Sequence, residues 1–135
     1  MSESAILTAA RAAVAAALPG GKDWSDDPAN IRPDKLDAFA VTVTRDGAVP
    51  AAMGSTQEEV QLTIGVEVFT EYGPTQNGRA LASARGEAVR AALRSDPALA
   101  AAIDFITGAA MDVDLAKGER RLARATVEMS VLATF

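Results

Sequence analysis

The sequence predicts an α+β fold of two layers: two main helices packed on one face of a mostly antiparallel four-stranded sheet, in the order α-β-β-α-β-β. Three observations predict it. Several segments alternate apolar and polar residues with a period of two, the pattern of strands with one wet face. Two others carry a single apolar stripe at helical spacing. Helices and strands that are apolar on one side only are buried most economically against each other, which gives two layers.

The first helix is read from "SESAILTAARAAVAAALPGG", where Leu7, Ala10, Val14, Ala17 and Leu18 share a face and Arg11 lies on the other side. Ser2 or Ser4 can accept from the first free amides, Glu3 suits the positive end of the dipole, and Pro19 to Gly21 stops the helix. The next stretch, "KDWSDDPANIRPDKLDA", has no period and reads as an irregular surface connection holding the only Trp. "FAVTVTR" then sets Phe39, Val41 and Val43 against Thr42 and Thr44, and "EEVQLTIGVEVFT" sets Val60, Leu62, Ile64, Val66 and Val68 against Gln61, Thr63 and Glu67. Both are strands. The segment between them, Asp46 to Thr56, is expected to be a loop longer than a hairpin needs. Its Val49 and Met53 either fold back onto the core or meet a partner.

After the break "EYGPTQNG", Asn77 is expected to cap a second helix over residues 79–94, with Leu81, Ala84, Ala88, Ala92 and Leu93 facing inward and Arg90 and Arg94 near the negative dipole end. "SDPALAAAI" starts one or two further turns, with Asp96 as cap and Pro97 at the first helical position. "GAAMDVDLA" is a strand with Ala109, Met111, Val113 and Leu115 inward and Asp112 and Asp114 outward, and Lys117 to Glu119 turns it into the last one. In "ATVEMSVLATF" the residues Ala125, Val127, Met129, Val131, Ala133 and Phe135 are apolar at every second position. Chain ends fray unless they are tied down, so this stripe predicts a paired terminal strand.

At 135 residues with no internal repeat the chain reads as a single domain over residues 1–135. It has no Cys and no His, which excludes disulfides, thiolate metal sites, a cysteine nucleophile and the commonest general base. A net charge of −5 argues against a broad basic face for nucleic acid. No apolar run has the length of a bilayer span and no basic leader precedes one, so a soluble protein made in the cytoplasm is expected. Dinucleotide, P-loop, serine-hydrolase and zinc motifs are missing, and neither a cofactor nor a catalytic set is expected.

The acidic clusters are the remaining candidates. Asp23, Asp26 and Asp27 could meet a hard cation, but they lack the spacing of a calcium loop and read better as a solvated turn. Asp112 and Asp114 point the same way from one strand, where a solvated outer face outweighs acid–base work. Glu58 and Glu59 read as gatekeeper charges on a sheet edge. Trp24 is either an interface anchor or a lid over one end of the core.

The succession "AALPGG", "NIRPDKLDAFAVTVTRD", "EEVQLTIGVEVF", "EYGP", "GRALASARGEAVRAALRSDPAL" and the closing "ATVEMSVLATF" resembles the tail terminator, or tail completion, proteins of long-tailed phages and phage-like gene transfer agents. The resemblance spans nearly the whole chain and lies in element order and texture. It implies a structural virion protein of the tail and neck, not an enzyme, whose partners are five further copies of itself in a hexameric ring, the tail tube protein and the head-tail connector. Such a ring caps the tube, ends its polymerisation and offers the connector a docking surface, while DNA passes through without specific binding and no membrane is involved. A ring needs two different patches per subunit; Trp24, Asp46, Val49, Met53, Glu58 and Glu59 are the candidates. Asp112, Asp114 and Glu128 are candidates for an acidic lumen wall, along which DNA slides because its phosphates are not neutralised. Three other readings stand beside this one: another head-tail joining protein of the same architecture, a small ligand-binding domain with a pocket between helices and sheet, and a monomeric adaptor whose sheet edge takes a peptide strand.

Overall fold

The computed structural model describes residues 3–26, 37–50, 52, 54, 56–115 and 121–135. Its elements are α1 (Glu3–Ala17), β1 (Lys22–Asp23), β2 (Ala38–Pro50), β3 (Glu58–Glu71), α2 (Gly78–Ser95), α3 (Pro97–Ala102), β4 (Phe105–Leu115) and β5 (Leu122–Thr134). The fold is α+β, and the sheet has five strands in the order β1-β2-β3-β5-β4. All pairs are antiparallel except β1 with β2. The expected four strands are therefore joined by a fifth. β1 arises inside the stretch that reads as irregular, where Lys22 pairs with Ala38 and Asp23 with Phe39.

The alternating residues take up the expected faces. Along β3, Val60, Leu62, Ile64, Val66 and Val68 are buried, and along β5 so are Ala123, Ala125, Val127, Met129, Val131 and Ala133. These two central strands pair over their whole length, from Glu59 opposite Thr134 to Glu71 opposite Leu122. The chain end is tied down as well: Glu58 N–H donates to the Phe135 carbonyl at 3.0 Å and Phe135 N–H returns to the Glu58 carbonyl at 3.1 Å. The Phe135 ring is half-buried against the core.

The helices cover this apolar face. α1 buries Ile6, Ala10, Ala13 and Val14, and α2 buries Gly78, Ala82, Gly86, Val89 and Leu93. Asn77 and Asp96 cap as expected, accepting from Ala80 N–H at 3.1 Å and Leu99 N–H at 2.8 Å. The inward face of α2 differs from the expected one, however: Ala84 and Ala88 are exposed, while Gly86 lies inward. A Cβ at Gly86 would approach Met111 Sδ to 2.6 Å and Ala125 Cβ to 3.2 Å, so the helix comes close to the sheet at a residue with no side chain. Apolar patterning cannot register such a position.

Two further expectations are corrected. The segment Asp46 to Thr56 is not all loop, because β2 runs on to Pro50, opposite Glu58. And Glu58 and Glu59 do not sit on a sheet edge: β3 lies between β2 and β5. The edges are β4 and, beyond the short β1, β2. As an edge strand β4 leaves Ala109 and Leu115 exposed on the helix side, where only Met111 and Val113 are half-buried. The turn expected at Lys117 to Glu119 lies outside the described residues, as do Asp27 and Met53.

Candidate functional site

The strand registers define a second, helix-free face of the sheet. From β3 it carries Glu59, Gln61, Thr63, Gly65, Glu67, Phe69 and Glu71; from β5, Arg124, Thr126, Glu128, Ser130, Leu132 and Thr134; from β4, Ala110, Asp112 and Asp114. Each of these alternates with a residue of the core face, so the same period of two that builds the core gathers the charges outside. Asp112 lies level with Thr126 and Glu67, Asp114 with Arg124 and Phe69, and Glu128 sits between Gly65 and Ala110. Together they line a shallow groove of about 440 Å³.

Three of the expected acids, Asp112, Asp114 and Glu128, are thus brought together, and Glu67 joins them. The sequence marks Glu67 as solvent-facing but gives no sign of which other acids it will meet, since that depends on cross-strand register. Arg124 is the single cation among them. Its Nη2 donates to Asp114 Oδ2 at 2.7 Å, and this bond, aided by the fields of Glu67, Asp114 and Asp112, holds the guanidinium above its ordinary pKa against the opposing effect of burial. One arginine does not balance four carboxylates, so the groove is net negative. Among the described residues no group of acids is arranged to hold a metal ion. The face can repel a polyanion and bond through hydroxyls; it presents no nucleophile–base pair.

The expected assembly residues are split. Asp46, Val49, Glu58 and Glu59 lie at the β2–β3 hairpin end. Trp24 lies at the other end of β2, where its N–H donates to the Phe39 carbonyl at 2.7 Å and its side chain is half-buried. From Phe39, beside Trp24, the strand runs ten residues to Val49, roughly 33 Å, and seven to Asp46, roughly 23 Å. Asp46 is the extra residue of a β-bulge between Arg45 and Gly47, and it accepts from Thr63 Oγ1 at 2.6 Å. Val49 is 58% exposed and does not extend the core.

The cluster of Asp23 and Asp26 holds a cation already. Arg11 Nε donates to Asp23 Oδ2 at 2.8 Å and its Nη1 to Asp26 Oδ1 at 3.1 Å, which joins α1 to the segment after it. Ser25 donates to Asp23 Oδ1 through both its amide and its hydroxyl. Burial pushes the Asp23 carboxyl up, but the Ser25 and Arg11 bonds together outweigh it and hold the group below its ordinary value.

A second concavity, about 360 Å³, opens between Leu18 to Gly21 after α1, Ala84 and Ala88 of α2, and Ala38 and Val68 of the sheet. Its charged residues are Asp37 and Arg85, and Arg85 is engaged on both sides: Nη1 donates to Asp37 Oδ1 at 2.5 Å and to the buried Thr70 hydroxyl at 2.8 Å. The sequence matches no protein-family model and no curated protein.

Proposed function

We propose that this chain is a structural, non-enzymatic virion protein of the tail-terminator type: a homo-hexameric ring that caps the tail tube, ends its polymerisation and offers the docking surface for the head connector. The observation that carries the reading is the helix-free face on which Glu67, Asp112, Asp114 and Glu128 surround one arginine. A wall of this kind suits a conduit. Duplex DNA is held largely through neutralised phosphates, so a net-negative surface releases it. The ring works in the tail and neck of the particle after synthesis in the host cytoplasm, and its partners are its own copies, the tube protein and the connector.

The test is a charge reversal of the wall, Glu67→Lys with Asp112→Lys and Glu128→Lys. Solvated surface changes shift stability by under about 0.5 kcal/mol each, so the subunit stays folded. Tails reach normal length and join heads, but DNA delivery falls, and the purified variant retains duplex DNA at low salt and loses it as salt rises. Unchanged delivery, or a wild-type protein that holds DNA as tightly as the variant, contradicts the wall.

The concavity beside Arg85 favours a second reading, a small-ligand domain. Filling it through Ala84→Phe, an exposed position, leaves tail capping intact under the ring reading. Loss of capping in a folded Ala84→Phe protein gives that cavity the functional role instead.

A further inference from the structure

We propose that the two open edges of the sheet pair with each other between neighbouring copies of this chain, β4 of one copy against residues 42–50 of β2 of the next. Copies then join head to tail into one continuous antiparallel sheet. The inference deepens the ring reading and rests on it.

Both edges have peptide groups to offer. β4 ends the strand order and, among the described residues, pairs only with β5. On the far side, β1 reaches β2 only at Ala38 and Phe39, and the Val41 amide is taken by Ser25 Oγ at 2.9 Å. From residue 42 to 50 no backbone partner other than β3 is found among the described residues. A row of unpaired N–H and C=O groups is a template for another strand, and monomeric proteins blunt such rows with lysine, proline or charge. Part of each row is unguarded: "FITGAAM" in β4 and Thr42 to Thr44 in β2 contain neither charge nor proline, and Phe105 and Ile106 at the start of β4 are 67% and 39% exposed, while Arg45, Asp46 and Pro50 of β2 and Asp112 and Asp114 of β4 lie beyond them.

Direction selects the partner. β2 and β5 run one way and β3 and β4 the other, so β4 meets the β2 of an equally oriented copy in the antiparallel sense. A β4–β4 dimer would satisfy one edge and leave β2 open; the head-to-tail contact satisfies both and repeats until it closes. Side chains agree on both faces. On the helix side, half-buried Val43 at one edge and Met111 and Val113 at the other are core-rim residues with an open flank, and the contact joins them. On the acidic side the register that sets Val43 opposite Met111 places Thr44 opposite the small Ala110 and Thr42 opposite Asp112, which can accept from its hydroxyl.

The sheet is also bent where closure requires it. The β2 bulge falls between Arg45 and Gly47 and the β4 bulge between Ile106 and Gly108. They lie level, because Arg45 pairs with Leu62, Leu62 with Val131 and Val131 with Ile106. Bulges kink a strand and increase its twist, and they are how sheets are curved into closed forms. Closure turns every acidic face the same way and every helix layer the other way.

The native chain has no Cys, so disulfide trapping reports the contact directly. Thr44→Cys is combined in one chain with Gly108→Cys, Ala110→Cys or Asp112→Cys in turn, which scans the register, and each single variant serves as control; thermal melting checks that all are folded. At least one double variant is expected to give a ladder of multimers on oxidation, with the singles remaining monomeric on denaturing gels. A β4 single variant that dimerises as well as the doubles overturns the head-to-tail pairing. So does a wild type that forms rings by mass while no double variant is trapped; in that case the ring reading stands and only the edge contact fails. A wild type that stays monomeric both alone and with tail tubes overturns both, and leaves the edges to a strand of another protein.

Discussion

Asp23 is legible as an acid near a turn, but its partner is not, because Arg11 reaches it across twelve residues through the packing of α1. Its pKa is lowered on folding, so the native state binds its proton less readily than the unfolded chain. The resulting stability is present above the unfolded value, 3.8, and is lost as pH falls through the folded one. Asp23→Asn should therefore lower the urea midpoint at pH 7, and the gap to wild type should shrink as pH falls below 3.8 and through the folded-state value. A gap that is constant with pH would mean that Asp23 is not ion-paired. Gly78 makes a contrasting case. Replacing glycine by alanine in a helix gains up to about 1 kcal/mol by propensity alone, yet a Cβ here falls inside contact distance of the Tyr72 ring. Gly78→Ala is expected to cost about 1–3 kcal/mol through overpacking, read as a lowered melting temperature; an unchanged or raised one would show that Tyr72 moves aside freely.

At the scale of elements, what alternates or repeats strongly was readable and what is short or silent was not. β3 and β5 follow from their apolar period, and the caps of α2 and α3 from Asn77 and Asp96-Pro97. β1 has two residues, too few to show a period, and exists only because β2 lies beside it. The rotation of α2 was hidden because its inward face is built on Gly78, Ala82 and Gly86, which carry almost no hydrophobic signal. The β2 extension was masked by Asp46, Gly47 and Pro50, turn-forming residues that here make a bulge and a strand end. The terminal strand supports a direct prediction. Deleting Val131 to Phe135 removes the fully buried Val131 and Ala133 and the Glu58–Phe135 backbone pair, and should abolish soluble folding. Phe135→Ala, at a half-buried ring, should cost about 1–3 kcal/mol. A melting curve identical to wild type would mean that the ring contributes nothing to the core.

For the whole molecule, the two sides of the sheet differ in charge. α2 carries Arg79, Arg85, Arg90 and Arg94 against one acid, Glu87, and the opposite surface of the sheet gathers Glu67, Asp112, Asp114 and Glu128 around one arginine. Asp112, Asp114 and Glu128 could be chosen from sequence because strand alternation fixes their side of the sheet. Their assembly with Glu67 could not, since it depends on which strands become neighbours. Which of Trp24 and the hairpin residues share a patch could not be read from sequence, because nothing there reveals that β2 holds them apart. The central claim is that copies of this chain close into a ring on the end of a tail tube. The most direct measurement is electron microscopy of tail tube protein polymerised with and without the purified chain. The account predicts a ring seated at one end of each tube and tubes of limited length when the chain is present, against bare tubes of unlimited growth without it. Tubes that stay bare and grow equally long in its presence would contradict it.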